Sequence, residues 1–197
     1  MRAGTRRESV AGPAGRIECA VDEPAGTPRG VALVAHPHPL FGGTLDNKVA
    51  QTLARAFVEL GYSAWRPNFR GVGESEGRHD EGKGEVEDLA AVLAHAGSAN
   101  PVLAGFSFGA AMTAKLGAKV KSERMVLVGT AVTSFELPPV PPGTLVIHGE
   151  VDDTIPLAAV LEWARPQDLH VLVVPGADHF FHRKLPELKL AVTENWK

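Results

Sequence analysis

PVLAGFSFGAAMTAKLGA, residues 101–118, decides how the rest of this chain is read. Pro101 to Phe106 is a short, continuous apolar run that predicts a buried strand, and the small-residue segment from Ser107 to Leu116 predicts a helix. Where the two meet stands Gly105-Phe106-Ser107-Phe108-Gly109, a G-x-S-x-G pentapeptide. A serine that turns the chain straight from strand into helix needs a sharp, strained turn. Glycines two positions to either side, having no Cβ, let strand and helix approach closely. The hydroxyl is thereby pushed into the open. The competing reading makes Ser107 an ordinary helix N-cap, its oxygen bonded to a backbone N–H of the first turn. Phe106 and Phe108, flanking a buried turn, read as packing residues.

Working outward, the same alternation repeats. Val31 to His36 (VALVAH) is a β-branched run suited to a strand buried on both faces. After the loop HPHPLFGGT, apolar residues at helical spacing (Val49, Leu53, Ala56, Phe57, Leu60) predict a helix from Asp46 to Leu60, stopped by Gly61. The strand YSAWR follows, then a glycine-rich loop from Asn68 to Gly77 and a helix from Glu85 to His95. Beyond the central segment come strands at Met125 to Val128 and Leu145 to His148, a helix from Pro156 through Trp163, the strand Val171 to Val174, and a last helix from about Leu185 to Trp196. Residues Ser9 to Asp22 can form a hairpin around Gly12-Pro13, with a turn from Glu23 to Arg29. Strands alternating with helices imply right-handed crossovers. The fold class is therefore α/β, a mostly parallel sheet of about seven to eight strands with helices on both faces. At 197 residues, 44% of them hydrophobic, the expected organisation is a single domain over residues 1–197.

Charge narrows the partners. Twenty Lys and Arg against 23 Asp and Glu give a net charge of -3, without the basic excess that neutralises phosphates or anionic lipid. The expectation is a small-molecule substrate, with no nucleic-acid or membrane partner. Every hydrophobic run is interrupted by Gly, Pro or charge well short of the roughly 20 residues needed to span a bilayer. Cys19 is the lone cysteine, and the start MRAGTRRESVAGPAG has no apolar h-region, so the expected location is cytoplasmic. Cys19 and Trp65 read as core or strand residues.

A serine hydroxyl becomes a useful nucleophile when a base takes its proton, and a carboxylate is needed to orient that base. VLVVPGADHFFH offers His179 and, one helical turn on, His182; LVIHGEVDDTIP offers Asp152 and Asp153. Acyl transfer also needs backbone donors for the developing oxyanion. One is the N–H of Phe108, directly after the serine, and the other comes from the loop after VALVAH. Pro37 and Pro39 have no N–H, which leaves His38 and Leu40. Leu40, Phe41, Phe180 and Phe181 lie on loops expected around Ser107 and can make an apolar acyl pocket. His36 and His38 share one face of an extended segment, but no cysteine or acid nearby completes a zinc set. No metal and no cofactor are expected.

With its G-x-S-x-G between strand and helix, the chain resembles the α/β-hydrolase superfamily. HPHPLFGGTLDNKV, RPNFRGVGESEG and GADHFFH together look like a group of small, capless bacterial α/β-hydrolases, the motifs spanning residues 36–182. The resemblance implies an α/β-hydrolase fold and a serine hydrolase. It implies His179 as the base, after the family's GxxH signature, and Asp152 rather than Asp153 as the acid, after its H-G-x-x-D-x-x-V/I-P loop. Pro37 stands where lipases and esterases carry a glycine. Asn68, Arg70 and Ser75 fall in a turn resembling D-x-R-G-x-G-x-S, where Arg70 braces the loop. The family often inserts a helical cap between the strands ending near Val128 and starting near Leu145. Here about 15 residues intervene, so the site should be open to small or accessible esters, thioesters or amides. A peptidase or acyltransferase could use the same triad, and the fold can also serve as a non-catalytic binding module. A dehalogenase would carry aspartate, and a dienelactone-type enzyme cysteine, at position 107.

Overall fold

The computed structural model describes residues 4–196. Eight strands form one sheet: β1 Thr5–Gly12, β2 Gly15–Asp22, β3 Val31–Ala35, β4 Ser63–Pro67, β5 Val102–Phe106, β6 Arg124–Val128, β7 Leu145–Gly149 and β8 Val171–Val174. Their spatial order is β1-β2-β4-β3-β5-β6-β7-β8. β1 with β2 and β2 with β4 pair antiparallel, and every later pairing is parallel. The sheet thus has the expected fold class, and its N-terminal hairpin begins at Thr5, four residues before the expected start at Ser9.

Five helices cover the two faces: α1 Lys48–Glu59, α2 Lys83–Ala96, α3 Phe108–Gly117, α4 Leu157–Ala164 and α5 Leu185–Glu194. Successive residues along a strand point to opposite faces, and the packing follows that period of two. Leu33, Leu103 and Leu127 join a layer with Val86, Leu89 and Val92 of α2, Met112 and Leu116 of α3 and Val160 of α4. The alternate positions Val34, Val102, Ala104, Phe106 and Val128 join the opposite layer with Leu53 and Phe57 of α1 and Leu188 and Val192 of α5. Because both faces are buried, the central strands read as unbroken apolar runs. α5 stops at Glu194, short of the expected Trp196. The Trp196 ring leaves the helical path to pack edge-on against Phe57 and Tyr62, at 5.3 and 5.7 Å.

Among the described residues no cap stands over the sheet. Residues 129–144, between β6 and β7, contribute buried Thr130, Ala131 and Val140 and contain no helix. The loop after β4 is tied down by side chains. Arg70 Nε and Nη2 donate to Asp88 at 2.7 and 2.8 Å, and Nη2 donates to the Gly84 carbonyl at 2.7 Å. Ser75 Oγ donates to the Asn68 carbonyl, and Asn68 bridges Leu45 N–H and Glu18.

The strand-to-helix junction shows why its glycines are glycines. A Cβ on Gly105 would collide with the Gly109 carbonyl, and one on Gly109 with the Ala35 and His36 carbonyls. These neighbours are backbone and cannot swing aside. The variant Gly109→Ala should therefore lose about 1–3 kcal/mol of unfolding free energy. Urea titration of the two proteins checks this; equal midpoints would mean that the junction relaxes freely.

Candidate active site

Ser107 is the residue between β5 and α3, with φ 56° and ψ -116°. Few non-glycine residues adopt positive φ, and such strain persists only where the surroundings over-determine it. Here they do: Ser107 N–H donates to the Val128 carbonyl at 2.9 Å, its own carbonyl accepts from Ala111 N–H at 3.1 Å, and Phe106 and Phe108 are fully buried on either side. Although Ser107 occupies the N-cap position, its side chain makes no capping bond. The plain N-cap reading therefore fails. Its Oγ lies instead 3.1 Å from His179 Nε2.

His179 is carried by the loop after β8 and is 3% exposed. Its Nδ1 lies 2.7 Å from Asp152 Oδ2. Asp152 sits in the turn after β7, where its Oδ1 accepts from Thr154 and Ile155 N–H at 3.0 and 2.7 Å. With Oδ1 so occupied, Oδ2 is left to receive Nδ1–H, which leaves Nε2 bare to accept from the Ser107 hydroxyl. Burial works to raise the Asp152 carboxyl. The hydrogen bonds from His179 and Ile155 N–H and the nearby charges of His179 and His148 outweigh it and hold the carboxyl below its ordinary value. The two loops meet because Gly149 is a glycine: a Cβ there would strike the Ala177 and Asp178 carbonyls. Asp153, one residue on, is exposed and reaches Thr154 Oγ1 alone, at 3.4 Å. His182 is also exposed and pairs with Asp178 at 2.7 Å.

Phe108 is the first residue of α3, so its N–H belongs to the helix turn whose donors have no intrahelical acceptor. Of the two loop candidates for the second donor, Leu40 is removed: its N–H donates to His38 Nδ1 at 3.2 Å. No described hydrogen bond takes up the His38 N–H. The His38 carbonyl accepts from Phe41 and Gly43 N–H at 3.1 and 3.0 Å, and a Cβ on Gly43 would strike the Pro37 carbonyl. The proline-rich loop is thus tightly folded, and the His38 ring rests 4.8 Å from that of Phe108. His36 has a different task. Buried completely, it donates from Nδ1 to the Pro37 carbonyl at 2.6 Å and accepts at Nε2 from Phe69 N–H at 3.0 Å, joining the loops after β3 and β4. Both ring nitrogens are spent on backbone, so the His36/His38 pair offers no metal a chelate.

The four apolar loop residues part company. Leu40 and Phe41 are 68% and 86% exposed and stand out from the loop rather than enclosing a pocket. Phe180 is half exposed, its ring 5.1 Å from that of His179. Phe181 corrects the pocket expectation. Its positive φ of 54° turns the chain back, and the ring is fully buried in the layer of α1 and α5. One residue beside the site entered the sequence reading only as the first position of the H-G-x-x-D-x-x-V/I-P loop, with no role given to it. His148, four positions before Asp152, is completely buried with Nε2 3.5 Å from Asp152 Oδ2. Its place at the end of an apolar strand run was the available signal.

Residues 42–172 match the family described as serine aminopeptidase, S33. An uncharacterized protein of Rickettsia prowazekii is 32% identical, with 93% of this chain and 85% of that protein aligned. The crystal structure of an α/β serine hydrolase without lid from Xanthomonas campestris superposes with a TM-score of 0.90 at 35% identity, covering 97% of this chain and 93% of that one. An α/β serine hydrolase homologue from Coxiella burnetii gives 0.88 at 37% identity, covering 98% and 97%.

Burial pushes His36 down from 6.5 to about 4, against a smaller opposing effect of its bond to Pro37. In the unfolded chain it takes up a proton near pH 6.5, while the folded chain resists until about pH 4. Its contribution is thus complete above pH 6.5 and lost as the pH falls to about 4, a change of roughly 3 kcal/mol at about 1.4 kcal/mol per unit. His148, also lowered by burial, acts in the same direction. Denaturant midpoints measured across this range should fall steeply for the native chain and less steeply for His36→Gln; parallel slopes would contradict the assignment.

Proposed function

Because this chain belongs to the serine aminopeptidase S33 family of α/β hydrolases, we propose that it is a serine hydrolase working through an acyl-enzyme on a small or accessible ester, thioester or amide. The observation that carries this reading is the run Asp152 Oδ2, His179 Nδ1, His179 Nε2, Ser107 Oγ, with its gaps of 2.7 and 3.1 Å. A serine in strained backbone, free of any capping bond, with a buried and carboxylate-paired imidazole at its hydroxyl, is arranged for attack.

In the proposed reaction, Ser107 Oγ adds to the carbonyl carbon as its proton passes to His179 Nε2. Asp152 remains ionised, holding Nδ1–H and stabilising the imidazolium. The tetrahedral oxyanion receives N–H groups from Phe108 and His38, the first aided by the positive end of α3. His179 returns its proton to the leaving alcohol, thiol or amine, and the acyl-enzyme forms. Water, deprotonated by the same imidazole, then releases the acid and restores the serine. Without a cap nothing encloses the substrate. Phe180 beside the base and Phe41 on the facing loop offer apolar surface to a short acyl or leaving group.

The family description favours a second reading, an aminopeptidase with the same triad. Parallel assay of p-nitrophenyl esters and aminoacyl p-nitroanilides separates the two: the first reading expects esters to turn over faster, and preferred cleavage of the anilides would reverse the assignment. Among esters, acetate and butyrate should exceed dodecanoate, with no activation at an oil-water interface; preference for the long chain would argue for an enclosed acyl tunnel that an open site lacks.

A fluorophosphonate probe should label Ser107 covalently. Asp152→Asn should lower kcat by roughly 10⁴ through loss of the correct imidazole tautomer, while Asp153→Asn changes it little. If the folded protein takes no label and cleaves nothing in the panel, a binding role replaces the enzymatic one.

A further inference from the structure

His148 is the next-to-last residue of strand β7 and is buried completely, a costly place for an imidazole. Its Nε2 lies 2.9 Å from the Ile155 carbonyl, an acceptor, so Nε2 carries the proton. Its Nδ1 has no partner among the described residues. A bare, buried ring nitrogen is a net cost that an aliphatic side chain of similar size would not incur. The benefit must therefore lie at Nε2–H. That group donates to the Ile155 carbonyl, at the far end of the turn that begins with Asp152, and Nε2 itself lies 3.5 Å from Asp152 Oδ2. Burial lowers the proton affinity of His148, which favours the neutral ring.

We infer that His148 is a positioning residue for the site, acting on Asp152, an inference that rests on the triad reading above. The bond to Ile155 closes the turn from Asp152 to Ile155 from inside the sheet, as the Ile155 and Thr154 N–H groups grip Oδ1 from the turn itself. Oδ2 keeps its short bond to His179, and the His148 ring stands 3.5 Å away on its other side. Rotation of the carboxylate, which would break the bond to His179, is opposed by the two N–H bonds to Oδ1 that the closed turn holds in place. The residue never touches substrate. Its effect passes through the Asp152–His179 bond to the orientation of the base, and small misplacements of a catalytic group are costly, on the order of 10²-fold per ångström.

The test compares His148→Gln, whose amide can place an N–H where Nε2 stands, with His148→Met, which fills the space without a donor. A third variant, His148→Asn, keeps polarity but is too short to reach Ile155. Expected are folded Met and Asn variants with kcat on a short ester lowered about 10- to 100-fold, KM within about twofold, and fluorophosphonate labelling slowed in proportion. The Gln variant should recover most of the rate. The far-downfield proton resonance of His179 Nδ1–H reads the same bond without turnover: it should persist in the native protein and the Gln variant and broaden or vanish in the other two. Folded Met and Asn variants with native kcat and an unaltered resonance would overturn the inference, as would a Gln variant no better than Met. If the Met variant fails to fold, the Gln and Asn pair decides alone. A native protein that shows the resonance, and loses it in the Asn variant, yet labels and hydrolyses nothing, would leave the positioning of Asp152 intact and sink the hydrolase reading.

Discussion

The site depends on one constraint: two stretches of main chain lie closer than any Cβ would allow. The start of α3 presses on the end of β3 through Gly109, and the end of β5 on the start of α3 through Gly105. That double approach leaves the intervening residue no relaxed conformation, and Ser107 takes positive φ. Strain of this kind costs on the order of 1–3 kcal/mol and must be held by its surroundings. The buried rings of Phe106 and Phe108 anchor the turn to opposite layers of the molecule, so the serine cannot relax without unpacking both. Exposure of the hydroxyl and the vacant N–H of Phe108 are two results of one packing problem.

A second approach of the same type joins the loops of Asp152 and His179. Gly149 lets the turn after β7 lie against the carbonyls of Ala177 and Asp178, and Val151 N–H donates to the Ala177 carbonyl at 3.0 Å. The loops after β5, β7 and β8 all leave the same edge of a parallel sheet, since parallel strands end together. Topology therefore gathers residues 107, 152 and 179, and the glycines set how closely they meet. His36 performs the corresponding service for the loops after β3 and β4, by hydrogen bonds to backbone instead of by close approach.

What could be read in the sequence follows from which interactions are local. The strands and helices were legible because both faces of the sheet are buried and apolar runs follow directly. So was the strand-turn-helix at Ser107, since a pentapeptide contains its own geometry. The choice of Asp152 over Asp153 needed a family resemblance, because two adjacent carboxylates differ only in which way a turn points them. Phe181 was misread because a positive φ at a non-glycine residue leaves no mark in the sequence, and that angle sends the ring into the core. Leu40 was offered as a donor because the sequence does not reveal that His38 Nδ1 already holds its N–H. His148 stands in the H-G-x-x-D-x-x-V/I-P loop without a role for a similar cause: what its ring touches depends on how the loop beyond it folds back.

The order of the strands has one more implication. Ser107 and Asp152 issue from strands with neighbours on both sides, but His179 follows β8, which pairs with β7 alone and is four residues long, three of them only partly buried. Short segments with few buried apolar contacts open at lower free energy than the core. Detachment of β8 would carry the imidazole away from the hydroxyl while the central sheet stayed intact. The contact between His179 and Ser107 would then be governed by the free energy of a local opening, which is smaller than that of global unfolding, and mild denaturant would break it well before the helices melt.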